Sequence, residues 1–240
     1  MKYPNAYSGV KKIFAAEILS VIGVVVLIVS GVLGLLSAAA GIAAQSADTE
    51  TASGLYGAAV GFGIPSLILM LGFGVLTVVA FILQIVGVTR ASKDERTFKN
   101  ALFFILVGVI AMVTEQIVYF LSGVIGQTGA DLVNSICTNL WRASTILVTY
   151  YIIAGVIALA VKIGNEKIEK QGKTIVTLIM ICLVLSLVAS VTSNVFVQNG
   201  TNEVIASVLA LASAIIDLIA YIIYLVFLGR AKKMLREATE

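Results

Sequence analysis

Two acidic residues stand inside otherwise apolar runs: Glu115 in AMVTEQIVY and Asp217 in ASAIIDLIAY. An ionised side chain at the centre of a membrane helix costs at least ~2.5–3.5 kcal/mol, so such groups face a bundle interior or water rather than lipid. Counting thirteen residues back from the cations Arg90, Lys162 and Arg230 reaches Thr77, Thr149 and Asp217, all polar. Thirteen residues of helix rise ~20 Å, which sets all three near the middle of a bilayer. Glu115, sixteen residues past Lys99, falls at a similar depth, and Gln116 follows it. No Lys, Arg or His is expected at that level, so each acid needs a proton, a bound cation or a hydrogen-bonding neighbour. The candidate site is therefore Glu115, Gln116, Asp217 and Thr77, taking a proton, a metal cation, an amine or another small solute. The competing reading makes each carboxyl a bond between helices and nothing more.

Other chemistries fail on inventory. The chain has no His, which removes the Ser–His pair and the HExxH zinc motif. It has no GxxxxGK[ST] phosphate loop and no metal-ligand or cofactor pattern. An intramembrane aspartyl protease would pair two aspartates, and only one is expected at mid-depth. The expectation is a protein that is not an enzyme. Cations come in short clusters with no aromatic-laced basic stripe, so nucleic acid is not an expected partner. Cys137 is expected in an outer loop and Cys182 in the inner half of the fifth span, too far apart for a disulfide.

The elements that must hold these residues follow from composition. The 240 residues are 60% hydrophobic and 12% charged, against ~25% charged in an average soluble domain. Six stretches are long and apolar enough to cross a bilayer core ~30 Å thick: 13–40, 56–88, 101–125, 141–161, 174–197 and 204–228. They are continuous rather than alternating, which excludes barrel strands. The first two exceed the requirement and must tilt, bend or project, with Pro65 the natural bend. Fifteen of the sixteen Lys and Arg fall on one side of this threading, with Arg142 alone opposite, so both termini are expected in the cytoplasm. The segments 45–54, 126–140 and 198–203 then become outer loops, with Trp141 at an outer boundary. The sequon Asn199-Gly-Thr201 hugs the membrane. A signal peptide would have a core of ~7–15 residues, so the longer first run reads as a retained span.

The predicted architecture is all-α: a single domain with a six-transmembrane-helix bundle of three in–out–in helical hairpins. Residues 80–90 and 220–230 share four of eleven positions, which suggests a threefold internal repeat that the fourth span follows less well. Inward stripes are expected at Gly108, Ala111, Glu115, Tyr119, Ser122 and Gly126, at Cys182, Ser186, Ala189, Ser190 and Ser193, and at Ala206, Ala210, Ser213, Ala214, Asp217, Ala220, Tyr221 and Tyr224. Gly57-x-x-x-Gly61 and Ser30-x-x-x-Gly34-x-x-x-Ala38 fit close helix packing, within the chain or in an oligomer. Glu17 is expected at the interface, solvated or near Lys11 and Lys12. The cluster from Arg90 to Arg96 reads as a topology determinant touching anionic lipid.

Residues 7–19, YSGVKKIFAAEIL, resemble the opening of uncharacterised bacterial multi-span membrane proteins. That resemblance implies a prokaryotic cell membrane and no particular activity. A permease subunit served by a separate ATPase fits the span count, although no coupling-helix motif is present. The expected partners are the lipid bilayer, a small solute or cation, and a further subunit or copy.

Overall fold

The computed structural model describes residues 3–46, 49–198 and 203–239. They form six helices: α1 (Pro4–Ser46), α2 (Thr49–Ala91), α3 (Thr97–Ile125), α4 (Gln127–Ile163), α5 (Glu166–Gln198) and α6 (Glu203–Glu237). All six are long and apolar enough to cross a membrane, and together they mark a multi-pass membrane protein. The sequon at 199–201 and Asp48 lie outside the described residues.

The helices overrun most of the expected spans, with α1 starting at Pro4 rather than Ile13 and α6 ending at Glu237 rather than Leu228. The segment 126–140, read as a loop, is helical from Gln127 onward, with Gly126 at φ 85° as the break after α3. Its polar residues lower the hydropathy without breaking the helix, since Leu132, Ile136 and Leu140 keep a four-residue spacing. Cys137 is thus a buried helical residue, and Trp141 stands fourteen positions into α4. Residues 49–54 likewise belong to α2, and α5 starts at Glu166, where the Asn165 side chain accepts the Ile168 N–H as an N-cap. α2 remains helical through Pro65.

The chain divides into two compact units, Ala15–Gln84 and Met1–Phe14 with Ile85–Glu240. Within the first, α1 and α2 run antiparallel along a seam of small residues. Gly23 meets Phe73, Ser30 meets Ser66, and Ser37 meets Ala59 and Gly63. Ser30 Oγ donates to the Ser66 carbonyl at 2.8 Å and Ser66 Oγ to the Ser30 carbonyl at 2.9 Å, a reciprocal pair. Ser37 Oγ donates to the Ala59 carbonyl at 2.7 Å. Ala16, Gly23, Ser30, Ser37 and Ala44 follow a seven-residue spacing, and Ala59, Ser66, Phe73 and Ala80 another. A strict heptad keeps one face toward a partner helix, and small side chains let the backbones approach. Ala38, Gly57 and Gly61, expected at the contact, are exposed instead, and nothing lies within 4 Å of a Cβ built on either glycine. A four-residue spacing drifts off a seam that repeats every seven.

In the second unit α3 packs on α4, α4 on α5, and α5 on α6. Bulky plugs sit against glycines here. Phe98 is fully buried against Gly155, Trp141 lies over Gly108, and Ile157 meets Gly172. Phe104 stacks on Tyr151 with centroids 5.6 Å apart. α4 ends in a Schellman motif, with Gly164 at φ 80° and the N–H groups of Gly164 and Asn165 on the carbonyls of Val161 and Ala160.

One end of this unit gathers several helix ends. Pro4 opens α1, and Asp94 caps it from the turn after α2, accepting the Ala6 N–H at 2.7 Å and the Asn5 amide at 3.0 Å. Arg90 donates to Ser8 Oγ at 2.9 Å, and Gly9 packs backbone to backbone on Gly87 and Ala91. Lys162 at the end of α4 forms an ion pair with Glu95 at 2.6 Å. Lys232 near the end of α6 lies 4.6 Å from the centroid of Phe14. The N-terminus of α1 and the C-terminal ends of α2, α4 and α6 therefore share one end.

Candidate functional site

Asp217 lines a cavity of about 280 Å³ walled by α4, α5 and α6. α6 supplies Asp217, Ala220, Tyr221 and Tyr224, a stripe at helical spacing that brings them onto one face. α4 supplies Trp141, Arg142, Thr145, Ile146 and Thr149 at the same kind of spacing. α5 contributes Ile179, Leu183, Ser186 and Leu187. α5 and α6 are joined beside the cavity by Ser186 and Ser213, both buried, with hydroxyls 2.8 Å apart and Ser213 Oγ 3.1 Å from the Ser186 carbonyl. That bond sits one helical turn from Asp217 and fixes the register in which the aspartate meets the cavity.

The four residues selected from the sequence fall in different surroundings. Asp217 is half-buried in the cavity wall. Glu115 is half-buried on α3 and accepts a hydrogen bond from Thr138 Oγ1 of α4 at 3.2 Å; it does not line the cavity. Gln116 is exposed. Thr77 is exposed on α2 in the Ala15–Gln84 unit, where its hydroxyl donates to the Phe73 carbonyl of its own helix at 2.9 Å. Thr149, its counterpart in the thirteen-residue count, lines the cavity with Asp217.

The expected stripe on α3 also shifts. Gly108 and Ala111 are buried, but Tyr119 is 69% exposed and Val118 takes the inward place at 8%. Steps of three and four alternate along a helix face, and two consecutive steps of four overshoot it. Glu17 is buried at 8% rather than solvated, because it shares the face of Val10 and Ile13. Ala214, expected on the inward stripe of α6, is exposed, and the side chains of Ser122, Ser190, Ser193, Ala206 and Ala210 lie outside the described residues.

Sequence reasoning counted Arg142 only as the one outer-side cation, at the outer end of the fourth span, and did not attach it to the site. Arg142 lies on α4, fifteen positions past its first residue, and lines the cavity together with Asp217. The cavity wall thus holds a cation as well as the aspartate. The signal was available in the apolar spacing of 132, 136 and 140 ahead of it. Glu95 was missed as well. Burial pushes its carboxyl upward, but hydrogen bonds from Lys162 and from the hydroxyl and N–H of Thr97 outweigh that and hold it below the ordinary value.

Among the described residues no group of three or more metal-ligating side chains comes together. The cavity wall presents groups of mixed chemistry. It offers one carboxylate, one guanidinium, the hydroxyls of Thr145 and Thr149, and an aromatic surface from Trp141, Tyr221 and Tyr224. Both threonine hydroxyls donate to carbonyls of their own helix, at 3.0 Å each, so their oxygens face outward as acceptors. No protein-family model, no curated protein and no solved structure matches the chain.

Proposed function

We propose that the protein binds, and passes across a membrane, a small solute carrying a positive charge, with Asp217 as its counter-charge in the α4–α5–α6 cavity. The observation that carries this reading is a carboxylate lining a cavity close to the ~300 Å³ lower range of small-molecule pockets, on a helix apolar enough to span a bilayer. Threonine acceptors and aromatic faces in the same wall suit an ammonium group. The threading that goes with it is three in–out–in hairpins in a bacterial cell membrane, with both termini cytoplasmic. Fifteen cations on one side of that threading support it, as do the contacts that gather the N-terminus of α1 and the C-terminal ends of α2, α4 and α6.

Charged thiol reagents test the site without knowledge of the solute. In a Cys137→Ser, Cys182→Ser background, Thr149→Cys in proteoliposomes should react faster with a trimethylammonium methanethiosulfonate than with its sulfonate analogue. Asp217→Asn should erase that preference. A cysteine at 149 that neither reagent reaches would end the proposal.

A second reading has its own observation. The Thr138–Glu115 bond ties α3 to α4 and makes Glu115 an adhesive contact in a protein that serves as a membrane scaffold or accessory subunit. On that reading Asp217→Asn leaves every reagent rate unchanged.

A further inference from the structure

Arg142 and Asp217 line the same cavity, yet among the described residues neither side chain has an ion-pair or hydrogen-bond partner. Both are half-buried and both belong to helices that can span a bilayer. Two opposite charges in a low-dielectric wall attract strongly, and pairing with each other is the simplest way to neutralise both. Their separation leaves that neutralisation to whatever fills the space between them. A purely cationic solute answers Asp217 and leaves the guanidinium uncompensated; a purely anionic one does the reverse.

We infer that the cavity takes a zwitterion, a small molecule that carries both a carboxylate or similar planar anion and an ammonium, as an α-amino acid does on one carbon. This rests on the solute-binding reading above and narrows its substrate class. The guanidinium presents paired N–H donors that match a carboxylate in bidentate geometry. Asp217 accepts from the ammonium, and the Thr145 and Thr149 oxygens, whose protons are committed to their own helix, supply further acceptors. Trp141, Tyr221 and Tyr224, with Ile146, Ile179 and Leu183, leave an apolar and aromatic wall for the body of the molecule. The roles are positional: Arg142 and Asp217 set orientation and charge selection, and no covalent step is involved.

Three probes of one skeleton separate the charges: L-phenylalanine, phenethylamine and 3-phenylpropionate, measured by equilibrium binding to the purified full chain in nanodiscs. The wild type should bind phenylalanine at least about tenfold more tightly than either singly charged analogue, the scale of one charged hydrogen bond. Arg142→Gln should abolish the preference over phenethylamine, and Arg142→Lys should restore part of it. Asp217→Asn should abolish the preference over 3-phenylpropionate. The wild-type comparison stands even if a variant fails to fold. Equal binding of phenylalanine and phenethylamine by the wild type overturns the inference, as does absence of binding by all three. In either case a cation-selective Thr149→Cys would still uphold the acidic cavity, whereas an unreactive one would remove both readings.

Discussion

The Ala15–Gln84 unit and the α3–α6 region solve the same problem in lipid by different means. Lipid tails are as apolar as leucine, so helices in a membrane gain nothing by hiding hydrophobic side chains from each other. In the first unit, Gly23, Ser30, Ser37, Ala59 and Ser66 let two backbones approach and exchange serine hydrogen bonds, while Ile28, Leu35, Leu67 and Leu71 all face outward. In the second, glycines serve as sockets for Phe98, Trp141 and Ile157, and ionic and polar bonds tie the helix ends. A seam of small residues between two helices closes tightly and leaves no room. A four-helix arrangement with large side chains in sockets leaves space beside them, and the cavity with Asp217 and Arg142 occurs there. The cavity beside Asp217 follows from the less uniform packing.

The sharpest way to break this contrast is to fill a contact where two backbones meet. A Cβ at Gly9 would lie 2.5 Å from the Gly87 carbonyl oxygen and 2.6 Å from the Ala91 nitrogen, and neither is a side chain that can swing away. Gly9→Val should destabilise the protein by about 3 kcal/mol or more, since overpacking against backbone requires the helices to separate. Gly61→Leu, at a position with nothing within 4 Å, should leave the melting temperature near that of the wild type. Thermal unfolding of both variants in the same detergent checks the pair. Equal losses would mean that the open face around Gly61 is a contact too.

The ion pair at the helix ends comes next. Glu95→Ala should cost about 2 kcal/mol, the scale of hydrogen bonds to a charged group, moderated because Lys162 is half in solvent. The pH dependence has a fixed sign. The folded carboxyl is held below its ordinary value of 4.5, so its stabilisation is complete above that value and fades as pH falls through the folded one. Melting temperature should drop more steeply between neutral pH and pH 3 in the wild type than in Glu95→Gln. Parallel curves would show that Glu95 titrates alike folded and unfolded.

How much of this was legible in the sequence depends on which property each feature uses. Hydropathy alone located six spans, because the bilayer imposes a length of apolar helix whatever the packing. It could not locate the start of α4, since helix outside hydrocarbon need not be apolar, and Arg142, at the outer end of the fourth span, was read for its side rather than for its helix face. Asp217 was found because an acid in an apolar run is costly and therefore conspicuous. Gln116 and Thr77 were attached to it by depth, a coordinate that says nothing about which face of a helix a residue takes. The seam of α1 and α2 was sought at spacings of four and lies at spacings of seven. Glu95 stood in a cluster read for its charge sum, while its role depends on Lys162, sixty-seven residues away.

Glu115 separates adhesion from binding within the second region. Thr138→Val removes the donor and leaves the half-buried carboxyl without its bond across α3 and α4, at about 1 kcal/mol. Glu115→Gln keeps an acceptor in place and should lose less. Neither should alter the reagent preference of Thr149→Cys or the binding of zwitterionic probes. A change in either would extend the site from α4–α5–α6 to α3.

The smallest effect tests whether the serine seam is held by its hydrogen bonds or by its shape. Ser30 and Ser66 each donate to the other's carbonyl, so removing one hydroxyl leaves the opposite bond intact, and its carbonyl still keeps the helical bond from four residues on. Interhelical hydrogen bonds in membranes average about 0.6 kcal/mol, because the separated helices find other partners. Ser30→Ala and Ser66→Ala should therefore each cost about 0.6 kcal/mol, and the double variant measures the coupling between hydroxyls 3.3 Å apart. Ser30→Leu keeps no hydroxyl and adds bulk at a 4% exposed position, so it should cost several times more. If alanine proved as harmful as leucine, hydrogen bonding rather than close approach would set the seam, and the contrast between the two regions would lose its basis.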